Sequence, residues 1–403
     1  MTTTKNNIPV GYKDSAVGII PQEWEVATLG KLVSIASGES PSLFNLRNIG
    51  KYPYIKVEDM NNCEKYQSFS REYTDDERCA IPKGSIIFPK RGAAIINNKV
   101  RIANCALYMD SNMMAITPND LACGDYLYFK IIHEQLFKIA DTSTIPQINN
   151  KHIIPYKICL PPMAEQKKIA EILGIWDEAI EKQNLLIEKL ELRKRALMQR
   201  LLTGRIRLPG FIDDVQYKKL KPLIVEKSER NTNQTYTNVL SVTNNRGFIN
   251  QAEQFDREVA SDNTANYKLV HRGQFAYNPS RVNVGSLDLL QTYDLGILIP
   301  MYIVFETRPT MDSKFLYYQL KSGWFVGHIP MYVQGSVRDS LSFDGLENMK
   351  FWIPSLTEQK AIAEVLNTAD KEIAIHSKTL DALRLQKRGL MQQLLTGKTR
   401  VKI

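Results

Sequence analysis

The sequence predicts an α+β fold: two globular domains of mixed α/β structure, separated by two long antiparallel coiled-coil helices, with a pseudo-two-fold internal repeat. Two observations predict this architecture. One long helical segment occurs twice in the chain with little change. The segments before and between its copies carry strand and turn patterns but differ strongly from each other. The length of 403 residues fits two to four domains.

The repeat is the strongest signal in the sequence. EQKKIAEILGIWDEAI, which starts at Glu165, returns as EQKAIAEVLNTADKEI from Glu358, an offset of 358 − 165 = 193. LRKRALMQRLLTGRIR from Leu192 returns at the same offset as LQKRGLMQQLLTGKTR from Leu385. About half of the aligned positions are identical without a gap, which excludes chance. The chain is therefore a duplicated unit.

Each copy has apolar residues at alternating steps of four and three, the pattern of a coiled-coil seam. The predicted seam residues are Ile169, Leu173, Trp176, Ile180, Ile187, Leu190, Leu197, Leu201, Ile362, Leu366, Ile373, Leu380, Leu383, Leu390 and Leu394. Parallel pairing would place Lys194 against Lys387, whereas antiparallel pairing brings these lysines opposite the layers of Ala369 and Trp176. We therefore expect an antiparallel pair; two separate amphipathic helices are the alternative.

The ends of the helices are also marked. Pro161 and Pro162 precede the first copy, and Ser355 followed by Glu358 predicts a capping box for the second. Gly204 and Gly397 suit the left-handed position after a last helical turn.

Four segments follow along the chain. We predict a first globular domain at 1–161, a first spacer helix at 162–206, a second globular domain at 207–354 and a second spacer helix at 355–403. The two globular segments share a skeleton, because IPKGSIIFPKRG in the first answers LVHRGQFAYNPSR in the second. β-Branched and aromatic runs indicate strands, and two amphipathic stretches indicate short helices; these lie at 85–88, 156–160 and 301–305, and at 125–140 and 314–324.

Composition and charge limit the classes of protein to which the chain can belong. The chain is 43% hydrophobic and 24% charged, values typical of soluble proteins. The longest apolar run, 296–305, is half of a membrane span, and the polar N-terminus lacks a signal-peptide core, so we expect a cytoplasmic protein without membrane contact. The net charge of +9 favours a polyanionic partner such as nucleic acid.

Catalytic and metal-binding motifs are absent from the sequence. The five cysteines and five histidines form no metal-ligand spacing, so no metal site is predicted. The GKT near the C-terminus has Gln392 where a phosphate-binding loop needs its first glycine. No cofactor site and no catalytic residue is predicted in this chain.

Basic and amide side chains gather instead in the loops of both globular segments. Arg reads guanine and Asn or Gln reads adenine through paired hydrogen bonds, and Lys contacts phosphates. In the first segment the predicted DNA-binding residues are Lys90, Arg91, Asn97, Asn98, Lys99, Arg101, Gln147, Asn149 and Lys151. In the second they are Tyr277, Asn278, Ser280, Arg281, Asn283, Gln334 and Arg338. The alternative is an ordinary solvated surface.

With these residues, the chain resembles the specificity subunit of type I restriction-modification enzymes. That family has two diverged target-recognition domains, each followed by a long helix that opens with a P..EQ motif and closes with L.QRLLTG-like residues. Here the motifs are Pro161 and Pro162 with Glu165 and Gln166, then 197–204, and in the second copy Pro354, Glu358, Gln359 and 390–397. The resemblance covers essentially the whole chain.

The resemblance implies a non-catalytic DNA-binding subunit that reads a bipartite, asymmetric site in double-stranded DNA. It implies partners as well: two methyltransferase (modification) subunits and restriction/translocase subunits, on which S-adenosylmethionine, ATP and Mg²⁺ would lie. Two alternatives stay open from the residues alone. One is a stand-alone DNA-binding regulator, and the other is a coiled-coil scaffold without a DNA role.

Overall fold

The computed structural model describes residues 8–142, 145–212, 216–251, 263–333 and 340–403. The chain divides into two compact units. The first unit comprises Met1–Gln183 and Thr379–Ile403, and the second comprises Asn184–Lys378. Each unit therefore combines one β-rich segment with part of each long helix. The domain boundaries predicted from the sequence divide the chain into four consecutive segments, and these boundaries stay a prediction.

Two helices of 39 residues dominate the described residues, each about 58 Å long at 1.5 Å per residue. The α-helices in chain order are α1 (Leu29–Leu32), α2 (Ala93–Ile96), α3 (Gly124–Glu134), α4 (Leu136–Ile139), α5 (Asn150–Ile153), α6 (Met163–Leu201), α7 (Ser313–Leu320), α8 (Gly323–His328), α9 (Phe343–Asn348) and α10 (Leu356–Leu394). The 3₁₀ turns are Pro41–Leu43, Asp59–Asn62, Val282–Val284 and Ile329–Met331. Among the described residues, no helix combines the length and continuous apolar character that a bilayer crossing needs.

The strands are short. Those of the first unit are β1 (Tyr12–Lys13), β2 (Ile20–Pro21), β3 (Glu25–Thr28), β4 (Val33–Ser37), β5 (Tyr52–Ile55), β6 (Tyr66–Gln67), β7 (Tyr73–Thr74), β8 (Ile86–Pro89), β9 (Arg101–Ala103), β10 (Tyr108–Met109), β11 (Met113–Pro118) and β12 (Lys157–Leu160). Those of the second are β13 (Gln216–Lys219), β14 (Ile224–Lys227), β15 (Leu240–Thr243), β16 (Gly247–Asn250), β17 (Lys268–His271), β18 (Phe275–Tyr277), β19 (Leu287–Leu289), β20 (Leu295–Leu298), β21 (Ile303–Thr307) and β22 (Lys350–Ile353).

The sheets of the two units have the same topology. The first unit has the strand order β4-β11-β8-β9, extended by β6, and the second has β14-β21-β18-β19. The shared four-stranded order is antiparallel throughout in both. In each unit the strand before a long helix also pairs with an early strand, β12 with β3 and β22 with β13. The skeleton predicted from the sequence is confirmed.

The predicted short helices are present but broken. Gln135, at φ +66°, separates α3 from α4, and Lys321 and Ser322 separate α7 from α8. The Ser322 hydroxyl accepts a hydrogen bond from the Phe325 N–H at 3.3 Å, so it caps a new helix where the sequence pattern continued the old one. The pattern of apolar residues does not reveal such a break.

The long helices pair antiparallel within each unit, as predicted. In the first unit Lys387 of α10 forms an ion pair with Asp177 of α6. In the second unit Lys194 of α6 forms the matching pair with Asp370 of α10. The two lysines thus bind carboxylates beside the layers that antiparallel pairing assigned to them. All fifteen predicted seam residues are buried or half-buried.

Each unit buries the glutamate that starts its long helix. The Glu165 carboxylate, 0% exposed, accepts hydrogen bonds from Arg400 at 2.7 and 2.9 Å and from the Trp24 indole at 2.9 Å. Glu358 is equally buried and accepts two bonds of 2.6 Å from Arg207. Each arginine follows the end of the other long helix. The predicted capping box is not formed: the Glu358 carboxylate pairs with Arg207, and the Ser355 hydroxyl forms a hydrogen bond with the Thr357 hydroxyl.

The glutamine after each glutamate holds the globular segment. Gln166 accepts a hydrogen bond from the Cys123 N–H at 2.8 Å, at the start of α3. Gln359 accepts from the Asp312 N–H at 2.8 Å, at the start of α7. Both glutamines also donate to the backbone oxygen five residues earlier at 2.9 Å. The repeated EQ pair therefore joins each long helix to its neighbours through fixed contacts.

The last turn of each long helix binds a buried side chain that differs between the units. Lys130, the seventh residue of α3, donates to the Leu395 carbonyl at 3.1 Å and to Glu134 at 2.8 Å. Gln319, the seventh residue of α7, donates to the Leu202 carbonyl at 2.9 Å. Both satisfy a carbonyl that has no intrahelical partner. Different side chains thus make the same contact.

The glycines after both helices are left-handed, as predicted. Gly204 has φ +70° and Gly397 has φ +73°. A Cβ on Gly204 would lie 2.6 Å from the Trp352 indole, and one on Gly397 would lie 2.5 Å from Pro21. Both conformation and space therefore require glycine at these two positions.

We predict that Arg400→Ala lowers the free energy of unfolding by about 2–3 kcal/mol, because it leaves the buried Glu165 with Trp24 as its remaining donor. The value lies at the low end for a buried pair, since Arg400 is one-third exposed. Urea denaturation of the full chain measures the loss. The control is Arg388→Ala, which removes an exposed arginine of α10. Equal stability of the two variants would contradict the prediction.

Candidate nucleic-acid interface

The first candidate loop follows β8. Arg91 and Gln147 face each other in an isolated antiparallel bridge, and the Ile148 N–H donates to the Lys90 carbonyl at 2.9 Å. Arg91 is exposed, and Lys90 and Gln147 are half-buried. Burial and the charge of Arg91 lower the pKa of Lys90. The structure therefore brings three of the predicted residues together at a locally positive spot, which favours an anion.

Asn98 has a structural role in the same region. Its backbone is left-handed at φ +49°, its amide donates to the Ile132 carbonyl and its oxygen accepts from the Leu136 N–H, both at 2.9 Å. All its polar side-chain atoms thus serve the fold. Its neighbour Asn97 is exposed. The DNA-binding role of Asn98 stays a prediction, and a base would have to compete with these internal bonds.

Lys99 and Arg101 are directed to the 3₁₀ turn Asp59–Asn62. Lys99 donates to the Asn61 side chain at 2.5 Å, and Arg101 donates to the Met60 carbonyl at 2.9 Å. Arg101 is half-buried, and its Nε lies buried without a hydrogen-bond partner among the described residues. These two cations support a loop, and Arg101 is therefore poorly placed to meet DNA.

Of the predicted residues around α5, one has a structural role and one is exposed. Asn149 is the N-cap of α5, and its N–H donates to the His152 imidazole at 3.1 Å. Lys151 is exposed. The surface of the first unit therefore keeps Lys90, Arg91, Asn97, Gln147 and Lys151 as candidates.

Two of the predicted residues in the second unit are buried. Tyr277 is 0% exposed and lies in the aromatic core with Phe305, and burial raises the pKa of its phenol. The predicted contact of Tyr277 with DNA is wrong, because a core side chain of β18 cannot reach a base. Asn278 is 8% exposed, and its oxygen accepts from the Ser280 N–H at 3.1 Å, which shapes the turn after β18.

The turn itself is exposed. Ser280, Arg281 and Asn283 project around the 3₁₀ turn Val282–Val284, and the side chains of Arg281 and Asn283 form no hydrogen bond with a described residue. Gln334 and Arg338 lie outside the described residues. This turn occupies the place in the second unit that Lys90 and Arg91 occupy in the first, since β18 corresponds to β8.

The long helices carry a second kind of candidate surface, which sequence reasoning missed. Leu192 is 61% exposed, and its repeat mate Leu385 is 66% exposed. Each is followed on the same helix face by exposed residues that are identical or similarly small in the two copies. These are Arg195, Ala196 and Gln199 in α6, and Arg388, Gly389 and Gln392 in α10. We call these two sets the twin faces. Identity between the copies at exposed positions was the signal that could have found them.

Comparison with known proteins adds family evidence. The family model described as "Type I restriction modification DNA specificity domain" matches residues 21–192 and again residues 211–385. The chain is 24% identical over 413 residues to the type I restriction enzyme MjaVIII specificity subunit of Methanocaldococcus jannaschii, with 95% of this chain and 94% of that protein covered. It is 26% identical to the putative MjaX specificity subunit of the same organism, with 97% of each covered.

Two solved structures share the fold. The S subunit of a type I restriction-modification system from M. genitalium superposes with a TM-score of 0.57 at 17% identity, over 92% of this chain and 96% of that one. A chain from a study of complex assembly and conformational transition in the type I R-M system gives a TM-score of 0.58 at 15% identity, over 94% and 99%.

We predict that Asn98→Ala lowers the free energy of unfolding by about 2–3 kcal/mol, because it removes two hydrogen bonds and leaves a left-handed backbone without a favouring residue. Asn98→Gly should recover the conformational part of this loss. Asn97→Ala, one residue away and exposed, is the matched control and should change stability by less than about 0.5 kcal/mol. Thermal unfolding of the three variants measures this. A loss as large for Asn97→Ala as for Asn98→Ala would refute the assignment.

Proposed function

This chain belongs to the family of type I restriction modification DNA specificity domains, and we propose that it is the subunit that selects the DNA site for a type I restriction-modification complex. The observation that carries the proposal is the double match, at 21–192 and 211–385, which coincides with the two copies of one sheet topology. The family match favours this function over the stand-alone regulator and the scaffold.

Each β-rich segment would read one half of a bipartite, asymmetric site in double-stranded DNA. The support is the location of the exposed candidates after corresponding strands, Arg91 after β8 and Arg281 after β18. Arginine and amide side chains distinguish bases in the major groove, each paired contact contributing about 1–3 kcal/mol of discrimination. Two loops of different sequence on one scaffold would read two different half-sites.

The twin faces support a partner that binds twice. An exposed leucine leaves apolar surface in contact with water in the free chain. A protein that covers this surface explains why such a leucine occurs at both Leu192 and Leu385. We propose that two methyltransferase subunits occupy these faces and that restriction/translocase subunits join them. In this proposal S-adenosylmethionine, ATP and Mg²⁺ bind to the partners, and this chain contributes no catalytic residue.

The first experiment is an adenine methylation map of DNA from cells that express this chain with the methyltransferase encoded beside it. The expected result is methylation of a split motif with a fixed gap, absent when this chain is omitted. Stable co-purification without new methylation would contradict the role in site selection. If neither methylation nor co-purification is observed, the result would favour the stand-alone regulator.

We predict that Leu192→Asp and Leu385→Asp each remove one methyltransferase subunit from the complex, and that the double variant removes both. A buried carboxylate in an apolar contact costs several kcal/mol unless it is paired. Native mass spectrometry of the purified complex counts the copies. Ile175→Asp is the control, because Ile175 is 60% exposed on α6 but its repeat mate is Thr368. An unchanged stoichiometry in the double variant would exclude the twin faces.

We predict that four residues inserted beside Leu186 and four beside its repeat mate Thr379 lengthen the gap in the methylated motif. One helical turn advances about 5.4 Å, which corresponds to one or two base pairs at roughly 3.4 Å each. Both helices must change together, because the Lys–Asp pairs fix their register. The methylation map is the measurement. Altered half-sites with an unchanged gap would show that the helices do not set the spacing.

A further inference from the structure

The hairpin formed by β15 and β16 lies beside the exposed Arg281 turn in the second unit. The Ser286 hydroxyl donates to the Val242 carbonyl at 2.8 Å, and a Cβ on Gly285 would lie 3.1 Å from the Asn244 Cβ. A cleft of about 300 Å³ separates the two loops and is lined from both sides, by Asn244 and by Arg281 among others. The hairpin and the turn thus form one continuous surface.

The base of the hairpin is rigid. Leu240, Val242 and Phe248 are at most 5% exposed and belong to one apolar cluster. The Phe248 N–H donates to the Asp288 carboxylate at 3.2 Å. A Cβ on Gly247, which has φ +62°, would lie 1.7 Å from the same carboxylate, so both the backbone conformation and the Asp288 side chain favour glycine here. A packed base holds the tip in a fixed position relative to the sheet.

The tip consists of Asn244, Asn245 and Arg246, all exposed. Their side chains form no hydrogen bond or ion pair with any described residue. The Arg246 N–H donates to the Thr243 hydroxyl at 3.2 Å, which orders the backbone and leaves the guanidinium available. Asp288, the acidic side chain beneath the tip, is directed inward to Phe248.

These residue types on a two-stranded ribbon match the major groove of DNA. The groove is about 12 Å wide and admits such a ribbon, and Arg and Asn make paired bonds to guanine and adenine there. An exposed, unpaired arginine with two asparagines beside it has no evident role in the fold. We propose that Asn244, Asn245 and Arg246 read bases of the half-site assigned to the second segment, together with Arg281. This inference rests on the proposed DNA-reading function.

The test is a methylation map for the full complex carrying Arg246→Ala or Arg246→Lys. Arg246→Ala should relax one base position of one half-site, with discrimination falling about ten- to a hundredfold, and leave the other half-site and the gap unchanged. Arg246→Lys keeps the charge but loses the planar fork, so it should relax the same position while methylation continues. The lysine variant decides the matter if the alanine variant loses all methylation.

Arg272→Ala is the matched control. Arg272 is an exposed arginine of the same segment, paired with Asp294 at 2.7 Å, and it precedes β18 whereas Arg281 follows it. The complex that carries Arg272→Ala should methylate the same motif as the wild-type complex. A wild-type motif in both Arg246 variants would overturn the inference, as would relaxation of the other half-site. Failure of the proposed function looks different, because the unmodified complex would then produce no split motif.

Discussion

The burial of one carboxylate at the start of each long helix constrains much of the molecule. A carboxylate without solvent must be paired, and in each unit the partner is an arginine that follows the end of the other long helix. Glu165 requires Arg400, and Glu358 requires Arg207. Because each helix start needs the other helix end, the two helices can only run antiparallel. The Lys–Asp pairs farther along repeat the same requirement.

The architecture was predictable because the repeat is long and helical periodicity is regular. The offset of 193 residues aligned the glutamates, glutamines, lysines and terminal glycines, and each of these pairs makes equivalent contacts. The arginine partners Arg207 and Arg400 also stand at this offset and close the repeat, but they lie beyond the helices, so helical periodicity could not show that they bind glutamates far away in the chain. The capping box at Ser355 failed for that reason: the motif was local, and the partner that took Glu358 was 151 residues away.

The sequence predicted which loops carry candidate DNA-binding residues, but not which of their side chains are exposed. Residue type and position in the sequence predicted candidates after β8 and β18, and the structure leaves Arg91 and Arg281 exposed there. Type could not distinguish an asparagine that bonds to the backbone, such as Asn98, from an exposed one, such as Asn97. Nor could it show that Tyr277 alternates inward on its strand. The hairpin tip at 244–246 was overlooked because its neighbourhood with Arg281 arises only when separate strands pack together.

The glutamines after the buried carboxylates have a consequence for how the chain tolerates change. Gln166 and Gln359 form hydrogen bonds with main-chain groups at the starts of α3 and α7. The main-chain carbonyls of Leu395 and Leu202 accept hydrogen bonds from Lys130 in one unit and from Gln319 in the other. A main-chain group is the same whatever the side chain. The junction between the constant helices and the variable segments is therefore largely independent of sequence, and the segments can accumulate substitutions without disturbing the frame that carries them.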